Sequence, residues 1–289
     1  MVALMIGLAV AGATLGVVTH FVAKAFYLIL IFPVGIGCVL GGVGLYLIKR
    51  GHIRDPMLAA FAGLLGGIFA MFVMHYASYY EFRRDVTPEI PAKVMALSDE
   101  DLASMHPDTK DGEESLAVIR AARGFPAFMA LRAHQGVEVS HNGGTPLNIG
   151  YIGSLIYWLV EIAIVAGLAL AIMNESAREP YCVPCESWKK AAPLGTGRGD
   201  KSLAKSGVES GDPAQVAAGV ASRERADTYV LSRSVCPACA GERSSIDVKL
   251  VEVIPQKKGA PKTKTIAHAS WPREALPVLE RAVQTTRRA

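Results

Sequence analysis

The sequence predicts a membrane-embedded α-helical protein with four transmembrane helices and a small C-terminal α+β domain. The first observation behind this fold class is a set of four apolar segments that carry almost no charge. Each is close to the length of about 20 residues that is needed to cross roughly 30 Å of hydrocarbon. The second observation is a pair of Cys-x-x-Cys motifs, starting at Cys182 and Cys236, in the polar tail after the last segment.

The apolar segments divide into four spans. Residues 2–48 are too long for a single helix, and His20 and Lys24 mark a break between two spans. No Lys or Arg precedes the first apolar run, so we expect a retained span and not a signal peptide. The predicted transmembrane helices cover residues 2–20, 25–48, 57–80 and 150–173.

Small residues recur at helical spacing within these spans. Gly12 and Gly16 are four residues apart, as are Gly63 and Gly67. Lipid offers no hydrophobic force that would pull helices together, so small faces that allow close backbone approach supply the packing. We therefore expect these glycines at contacts between helices.

The distribution of basic residues predicts the orientation in the membrane. Basic residues crowd the short turn between spans two and three and the segment after span four: Lys49, Arg50, Arg54, Arg178, Lys189 and Lys190. The positive-inside rule then places both termini in the cytoplasm and residues 81–149 outside the cell (inner) membrane. Arg83 and Arg84 favour the reverse orientation. The net charge is −4 over residues 81–149 and +6 over residues 174–289.

Two ionisable side chains lie within the spans. Glu161 is near the middle of the fourth span, and His75 is in the third span, closer to the outer surface. An intramembrane carboxyl is costly and must face a partner or water, so the two residues form a candidate polar site. Two interpretations stay open: a proton site of a small transporter, or a protonated Glu161 that bonds to a neighbouring helix.

The extracytoplasmic segment, residues 81–149, is predicted to be acidic and partly helical. Short helices are expected within 86–115, where acidic residues and prolines alternate. A further helix is expected over 115–135, interrupted at Gly124 and Pro126.

The four tail cysteines are candidate ligands of a structural Zn²⁺ ion: Cys182, Cys185, Cys236 and Cys239. A tight Cys-x-x-Cys turn lets two thiolates occupy adjacent corners of a tetrahedron, and two such turns complete it. The cytosol keeps thiols reduced, which favours a metal over disulfides. Fifty residues separate the two motifs, but the longer loop costs only about 1 kcal/mol more in closure entropy, whereas a structural zinc contributes on the order of 10 kcal/mol. The fifth cysteine, Cys38, is expected to be buried within the second span.

The cytoplasmic domain, residues 174–289, is expected to form a small sheet closed by a helix. Residues 228–235 are rich in β-forming side chains, and the apolar phase of the next strand flips at Val251, which indicates a bulge. A third strand at 262–268 and a helix at 273–287 follow. A flexible insert with one short helix is expected over 193–225.

Part of the chain resembles known membrane proteins. The residues concerned are 150–161 (GYIGSLIYWLVE) and 179–188 (EPYCVPCESW). They resemble uncharacterised bacterial multi-spanning proteins in which a span with Tyr-Trp and Glu leads to a Cys-x-x-Cys ribbon, and the tail is similar to zinc ribbons in general. The resemblance extends over about residues 55–190, and it implies a zinc-ribbon-like domain without implying an activity.

Three functional hypotheses follow. The first is a non-enzymatic integral membrane protein whose zinc-bound tail serves a protein partner or self-association. The second is a membrane thiol-disulfide oxidoreductase that cycles the two Cys-x-x-Cys pairs, and the third is a small transporter component that uses Glu161. The chain shows no nucleotide-binding loop, hydrolase triad or metalloprotease motif. Nucleic acid is a disfavoured partner because the tail lacks a concentrated basic face with interleaved aromatic residues.

Overall fold

The protein divides into two compact units, Met1–Arg178 and Glu179–Ala289. The structure is a computed structural model, and it describes residues 2–25, 31–104, 109–139, 147–198, 200–221, 228–239, 245–256 and 261–288.

In the part of the first unit that the structure describes, the regular structure is helical apart from one short two-stranded sheet. Its helices are α1 (Val2–Ala25), α2 (Ile31–Arg50), α3 (Pro56–Val86), α4 (Ala92–Met95), α5 (Asp99–Ser104), α6 (Lys110–Arg123), α7 (Phe125–Gln135) and α8 (Gly150–Ala177). Strands β1 (Glu138–Val139) and β2 (Leu147–Asn148) pair antiparallel between α7 and α8.

Four of these helices, α1, α2, α3 and α8, are long and apolar enough to cross a membrane, which confirms the four predicted apolar helices. The predicted break at His20 and Lys24 is wrong, because α1 continues through both residues to Ala25. His20 does not interrupt the helix because its buried ring is hydrogen-bonded to α3. The second helix accordingly begins at Ile31 and not at residue 25.

Small residues make the closest contacts between the long helices, as predicted. Gly67 of α3 lies against Ala166 of α8, and Gly16 of α1 lies against the backbone of α3 at Ala70. Cys38 was expected to be buried in the second span, but its side chain is exposed on the outside of α2.

Helix α3 extends six residues beyond the predicted span, and its end is held by an aromatic cluster. Tyr79 and Phe128 are buried there, with Phe82 and Phe125 packed against them. The extension is stable because α7 supplies the apolar surface that covers it. The predicted interruption at Gly124 separates α6 from α7, since Gly124 has an extended backbone between the two helices.

The second unit has an α+β fold. Its elements are β3 (Tyr181–Cys182), β4 (Ser187–Trp188), β5 (Lys190–Arg198), α9 (Lys201–Ser210), α10 (Pro213–Ala221), β6 (Thr228–Val235), β7 (Ser245–Ile254), β8 (Lys262–Pro272) and α11 (Ala275–Arg288). Strands β3 and β4 form a hairpin, and the other four strands form an antiparallel sheet in the order β5-β6-β7-β8.

Three helices cover one face of this sheet and enclose the core. The core side chains come from all three helices and from β6, β7 and β8, and include Val208, Val216, Tyr229, Leu231, Ile246, Val248, Leu250, Trp271 and Leu279. Strand β6 has the predicted bounds, and the pairing of β7 with β8 shifts register between Leu250 and Val251, where the bulge was predicted. The opposite face of β8 is exposed, as His268 and Ser270 show.

The segment over residues 193–225 differs from the predicted flexible insert. It contains most of β5 and the two helices α9 and α10, and the side chains of Ala204 and Val216 are fully buried. Its glycines allow close helix contact: a Cβ on Gly207 would lie 2.6 Å from the Val216 nitrogen, and one on Gly219 would lie 2.4 Å from the Ala204 nitrogen. A glycine-rich composition therefore serves packing here. Residues 199 and 222–225 lie outside the described residues.

Candidate metal centre

The first cysteine pair belongs to the β3–β4 hairpin. Cys182 ends β3 and is paired with Ser187, the first residue of β4, so the connecting turn carries Cys185. The amide of Glu186 donates to the carbonyl of Val183, and Glu186 takes a positive φ of 45°, which tightens the turn. The hairpin thus brings the two thiols of one motif onto the same side.

The second pair reaches the first through the main sheet. Lys190, the first residue of β5, pairs with Val235, the last residue of β6. Because the two strands are antiparallel, the chain just before β5 and the chain just after β6 meet at one end of the sheet. Cys185 precedes Lys190 by five residues and Cys236 follows Val235 directly. Strand pairing therefore brings together motifs that are fifty residues apart in sequence.

The four sulfur atoms form one cluster, with all four Sγ atoms within 4.8 Å of one another. Cys239 Sγ is 2.9 Å from Cys185 Sγ and 3.5 Å from Cys182 Sγ. Metal–sulfur distances of about 2.3 Å in a tetrahedron place the sulfurs about 3.8 Å apart. A disulfide would bring them to about 2.05 Å. The four thiols are therefore close enough to hold one metal ion together, and both approaches of Cys239 are longer than a disulfide bond.

Hydrogen bonds hold the cluster in a partly desolvated pocket. Cys182 and Cys236 are buried, while Cys185 and Cys239 are half-buried. The Ser187 hydroxyl lies 3.1 Å from Cys236 Sγ. Arg273, which lies between β8 and α11, donates to the carbonyl of Cys239. The motif is thereby attached both to the hairpin and to the start of the last helix.

The surroundings also favour a thiolate at one position. Burial alone raises the pKa of the Cys236 thiol, but hydrogen bonds from Ser187 and from the backbone amides of Ala238 and Cys239 outweigh it and lower that pKa to about 6. Burial raises the pKa of the Cys182 thiol. Several thiolates this close together repel one another, and a bound cation removes the repulsion. The donor set of four thiols suits a soft divalent ion such as Zn²⁺.

A buried ion pair near this end of the sheet was missed by the sequence analysis. Lys189 Nζ is 2.7 Å from Asp247 Oδ2 and 3.1 Å from Ser245 Oγ, and the Lys189 side chain is 5% exposed. We had counted Lys189 among the basic residues that flank the fourth span. Since it is buried and paired within the C-terminal unit, it does not act as a free surface charge.

The two ionisable residues singled out in the apolar helices, Glu161 and His75, have different surroundings. Glu161 is 3% exposed. Tyr157 lies one turn earlier on α8, and its hydroxyl donates to Glu161 Oε1 at a distance of 2.6 Å. His75 packs against Trp158 with ring centroids 5.6 Å apart. Within the part of the chain that the structure describes, the buried Nε2 atom of His75 has no hydrogen-bond partner. His75 therefore lies at the contact between α3 and α8, and Glu161 is buried on α8.

No protein family, no curated protein and no solved structure matches this chain. The resemblance noted from residues 150–161 and 179–188 remains one of pattern. What the structure supports is four apolar helices and a C-terminal cysteine cluster that could hold a metal ion.

Proposed function

We propose that this chain is an integral membrane protein without enzymatic activity, whose cytoplasmic tail is held together by a structural Zn²⁺ ion. The observation that carries the proposal is the single cluster of four thiols, assembled from two distant motifs. All four ligands come from protein side chains, as is typical of structural zinc sites and not of catalytic ones, which keep one position open. The ion would join the β3–β4 hairpin to the end of β6, and so close the domain.

The arrangement favours zinc over the thiol-disulfide alternative. An oxidoreductase that cycles two Cys-x-x-Cys motifs needs two separable pairs, each able to form its own disulfide. Here the shortest approaches join the two motifs, since Cys239 lies beside both Cys182 and Cys185. The transporter alternative finds less support, because Glu161 is buried and accepts a hydrogen bond from the Tyr157 hydroxyl of its own helix.

The orientation proposed for the membrane unit follows from the basic residues. Lys49 and Arg50 end α2, which supports placing that end of the bundle, and the tail, in the cytoplasm. Reporter fusions at residue 109 and at residue 289 test it, using an enzyme that is active only outside the cytoplasm. A signal at the first position and none at the second is the expected result, and the opposite pattern would reverse the topology.

The proposed role of the tail is to dock a protein partner or a second copy of the chain. Its sheet supports this role because helices cover one face and leave the other exposed around His268. Light scattering of the detergent-solubilised full-length protein, with zinc and after chelation, tests self-association. If the measured mass is that of one chain both with zinc and after chelation, the chain does not self-associate, and the proposed partner is then a different protein.

Metal analysis of the full-length protein, purified under reducing conditions, tests the zinc site. About one zinc per chain is expected, since the four thiolates complete one tetrahedron. Cys182→Ser and Cys239→Ser should each lose the metal. Cys38→Ser is the matched control because it removes a cysteine from the exposed face of α2, and it should retain the metal. A metal-free protein with four titratable tail thiols, or with disulfides, would refute the proposal.

A further inference from the structure

A crevice runs between α1 and α3 on the outside of the membrane unit. The crevice has a volume of about 340 Å³. Its walls are apolar and are formed by Val17, Phe21, Val73, Tyr76, Ala77 and Tyr80. Phe21 and Tyr80 are 62% and 66% exposed, so the walls open outward from the bundle. In a membrane this surface faces lipid.

The crevice ends at a cluster of charged and polar side chains. His20 is buried, with Nε2 3.1 Å from Glu81 Oε2 and Nδ1 3.0 Å from Ser78 Oγ. The Ser78 hydroxyl donates to the carbonyl of Met74, so it is placed to accept from His20. Arg84 Nη2 lies 3.9 Å from the other oxygen of Glu81. The polar end therefore presents a carboxylate and a guanidinium side by side.

The same polar residues also line a second cavity. It has a volume of about 460 Å³, and His20 and Glu81 line both cavities. The second cavity is more polar, with Asp85, Arg132 and Gln135 in its lining. The crevice thus passes from an apolar groove to a polar space at the His20–Glu81 pair. Such a gradient matches a molecule with an apolar chain and a polar head.

The length of the crevice matches one leaflet of a bilayer. It extends along α3 from Val73 to Arg84, which is about 17 Å at 1.5 Å per residue. Half of a hydrocarbon core of roughly 30 Å is about 15 Å. Tyr80 lies near the polar end, where aromatic side chains collect at membrane interfaces.

We propose that this crevice binds a phospholipid with a primary-amine headgroup. One acyl chain would lie along the apolar walls, the ammonium would donate to Glu81, and the phosphate would accept from Arg84. Arg84 also contacts Asp85, at 3.0 Å, but that pair is exposed and easily exchanged for a phosphate. The ligand must carry a positive and a negative charge, because the site presents both the Glu81 carboxylate and the Arg84 guanidinium.

Other membrane lipids fit the same residues less well. A quaternary ammonium has no proton to donate, so a choline headgroup cannot hydrogen-bond to Glu81. A lipid with a net negative charge brings no ammonium group to Glu81, so it would keep the contact with Arg84 and lose the contact with the carboxylate. When lipids with identical acyl chains are compared, the headgroup decides which lipid the crevice prefers.

Native mass spectrometry of the detergent-solubilised full-length protein tests the headgroup. Phosphatidylethanolamine, phosphatidylcholine and phosphatidylglycerol with identical acyl chains are added in turn. One ethanolamine lipid per chain should bind about fivefold more tightly than either of the others, as a single favourable charge pair of about 1 kcal/mol allows. Equal binding of the three lipids would overturn the proposal.

Matched variants locate the binding. Arg84→Gln should weaken the phosphate contact and lower the affinity for all three lipids, whereas Arg83→Gln, an exposed neighbour outside the crevice, should not. Ala77→Phe should fill the groove and remove the selective binding, whereas Ile68→Phe, at an exposed position of α3, should leave it intact. If the two control variants, Arg83→Gln and Ile68→Phe, also lost the selectivity for the ethanolamine lipid, the lipid would bind outside the crevice.

A third variant addresses the headgroup contact itself. Glu81→Gln should remove the preference for ethanolamine while the protein still binds phospholipid. Circular dichroism of each variant shows that the helices remain folded, so a change in binding is not read from an unfolded protein. The site is independent of the zinc proposal because it lies in the other unit, and a metal-free tail would not affect the outcome.

Discussion

At the scale of single residues, the cysteine cluster includes a hydroxyl contact from a residue that is not itself a candidate ligand. Ser187 lies 3.1 Å from Cys236 Sγ and stabilises the thiolate form. Groups that bond to a metal ligand orient it and tune its basicity, and their loss typically lowers metal affinity by about 10–100-fold. The cysteine motifs alone predicted the four clustered thiols, but not this contact, because Ser187 meets Cys236 only after β5 and β6 have paired.

The first prediction concerns Ser187. Ser187→Ala should lower the zinc affinity of the full-length protein about tenfold, because the Cys236 thiolate loses a hydrogen bond. Competition with a chromophoric chelator measures the affinity. Ser187→Thr keeps the hydroxyl and should stay close to the unsubstituted protein. If the alanine and threonine variants bind zinc equally, the hydroxyl has no role at the site.

The second prediction concerns the buried pair of Lys189 and Asp247. Asp247→Asn should lower the free energy of unfolding of the C-terminal unit by about 3 kcal/mol, because it leaves a buried ammonium without its counter-charge. Urea unfolding of the solubilised full-length protein, followed by the fluorescence of Trp188 and Trp271, measures it.

The exposed pair of Lys205 and Glu209 is the matched control for that substitution. Its charges are 3.7 Å apart and about half exposed, so Glu209→Gln should cost less than about 1 kcal/mol. The double variant Lys189→Met with Asp247→Asn should recover part of the loss, since neither charge is then left alone. An equal cost for the buried and the exposed pair would show that burial adds nothing here.

At the scale of elements, the sequence correctly predicted features of the strands in which apolar and polar residues alternate. This alternation is a direct consequence of which side chains are buried. The bounds of β6 and the register shift in β7 were correct because alternation reports which side chains face the core. Only one short helix was expected where α9 and α10 lie, because small residues in the segment resemble a linker in composition. Their packing depends on Gly207 and Gly219, whose role becomes visible only when the partner helix is known.

The same limit applied to α1. A histidine and a lysine in an apolar run indicate a helix end, yet His20 is satisfied by Ser78 and Glu81 of α3. These partners are about sixty residues away in the sequence, so no local pattern predicts them. The four apolar helices and the two cysteine motifs that form one cluster were therefore recognisable in the sequence, whereas the polar contacts between helices were not.

The third prediction concerns the contact of α3 with α8. A Cβ on Gly67 would lie 2.5 Å from Ala166 Cα, so Gly67→Ala must push the helices apart. Overpacking of this kind costs about 1–3 kcal/mol. The thermal midpoint of the solubilised protein should fall by about 2–4 °C for each kcal/mol.

Gly42→Ala is the control for this substitution. The same added methyl would meet no atom within 4 Å on the outside of α2, and helix propensity favours alanine at both positions. Its thermal midpoint should therefore be unchanged or slightly higher. If both variants shift alike, the close approach of Gly67 and Ala166 does not limit stability.

At the scale of the whole molecule, the chain consists of two units with separate cores, and only the second contains the thiol cluster. The core of the first unit consists of contacts between apolar helices that lipid surrounds, while the second has a conventional hydrophobic core beneath its sheet. Metal should therefore control the stability of one unit and leave the other unchanged.

The fourth prediction follows from this division. Chelation under reducing conditions should unfold much of Glu179–Ala289, because a structural zinc contributes on the order of 10 kcal/mol, comparable with the whole stability of a small domain. Brief trypsin treatment should then degrade the tail and leave a resistant membrane fragment that ends near Arg178. Mass spectrometry of the fragments identifies the boundary, and added zinc should restore protection of the tail. A tail that resists trypsin equally with and without zinc would mean that the sheet and its helices fold without the ion, and that the four thiols serve another chemistry.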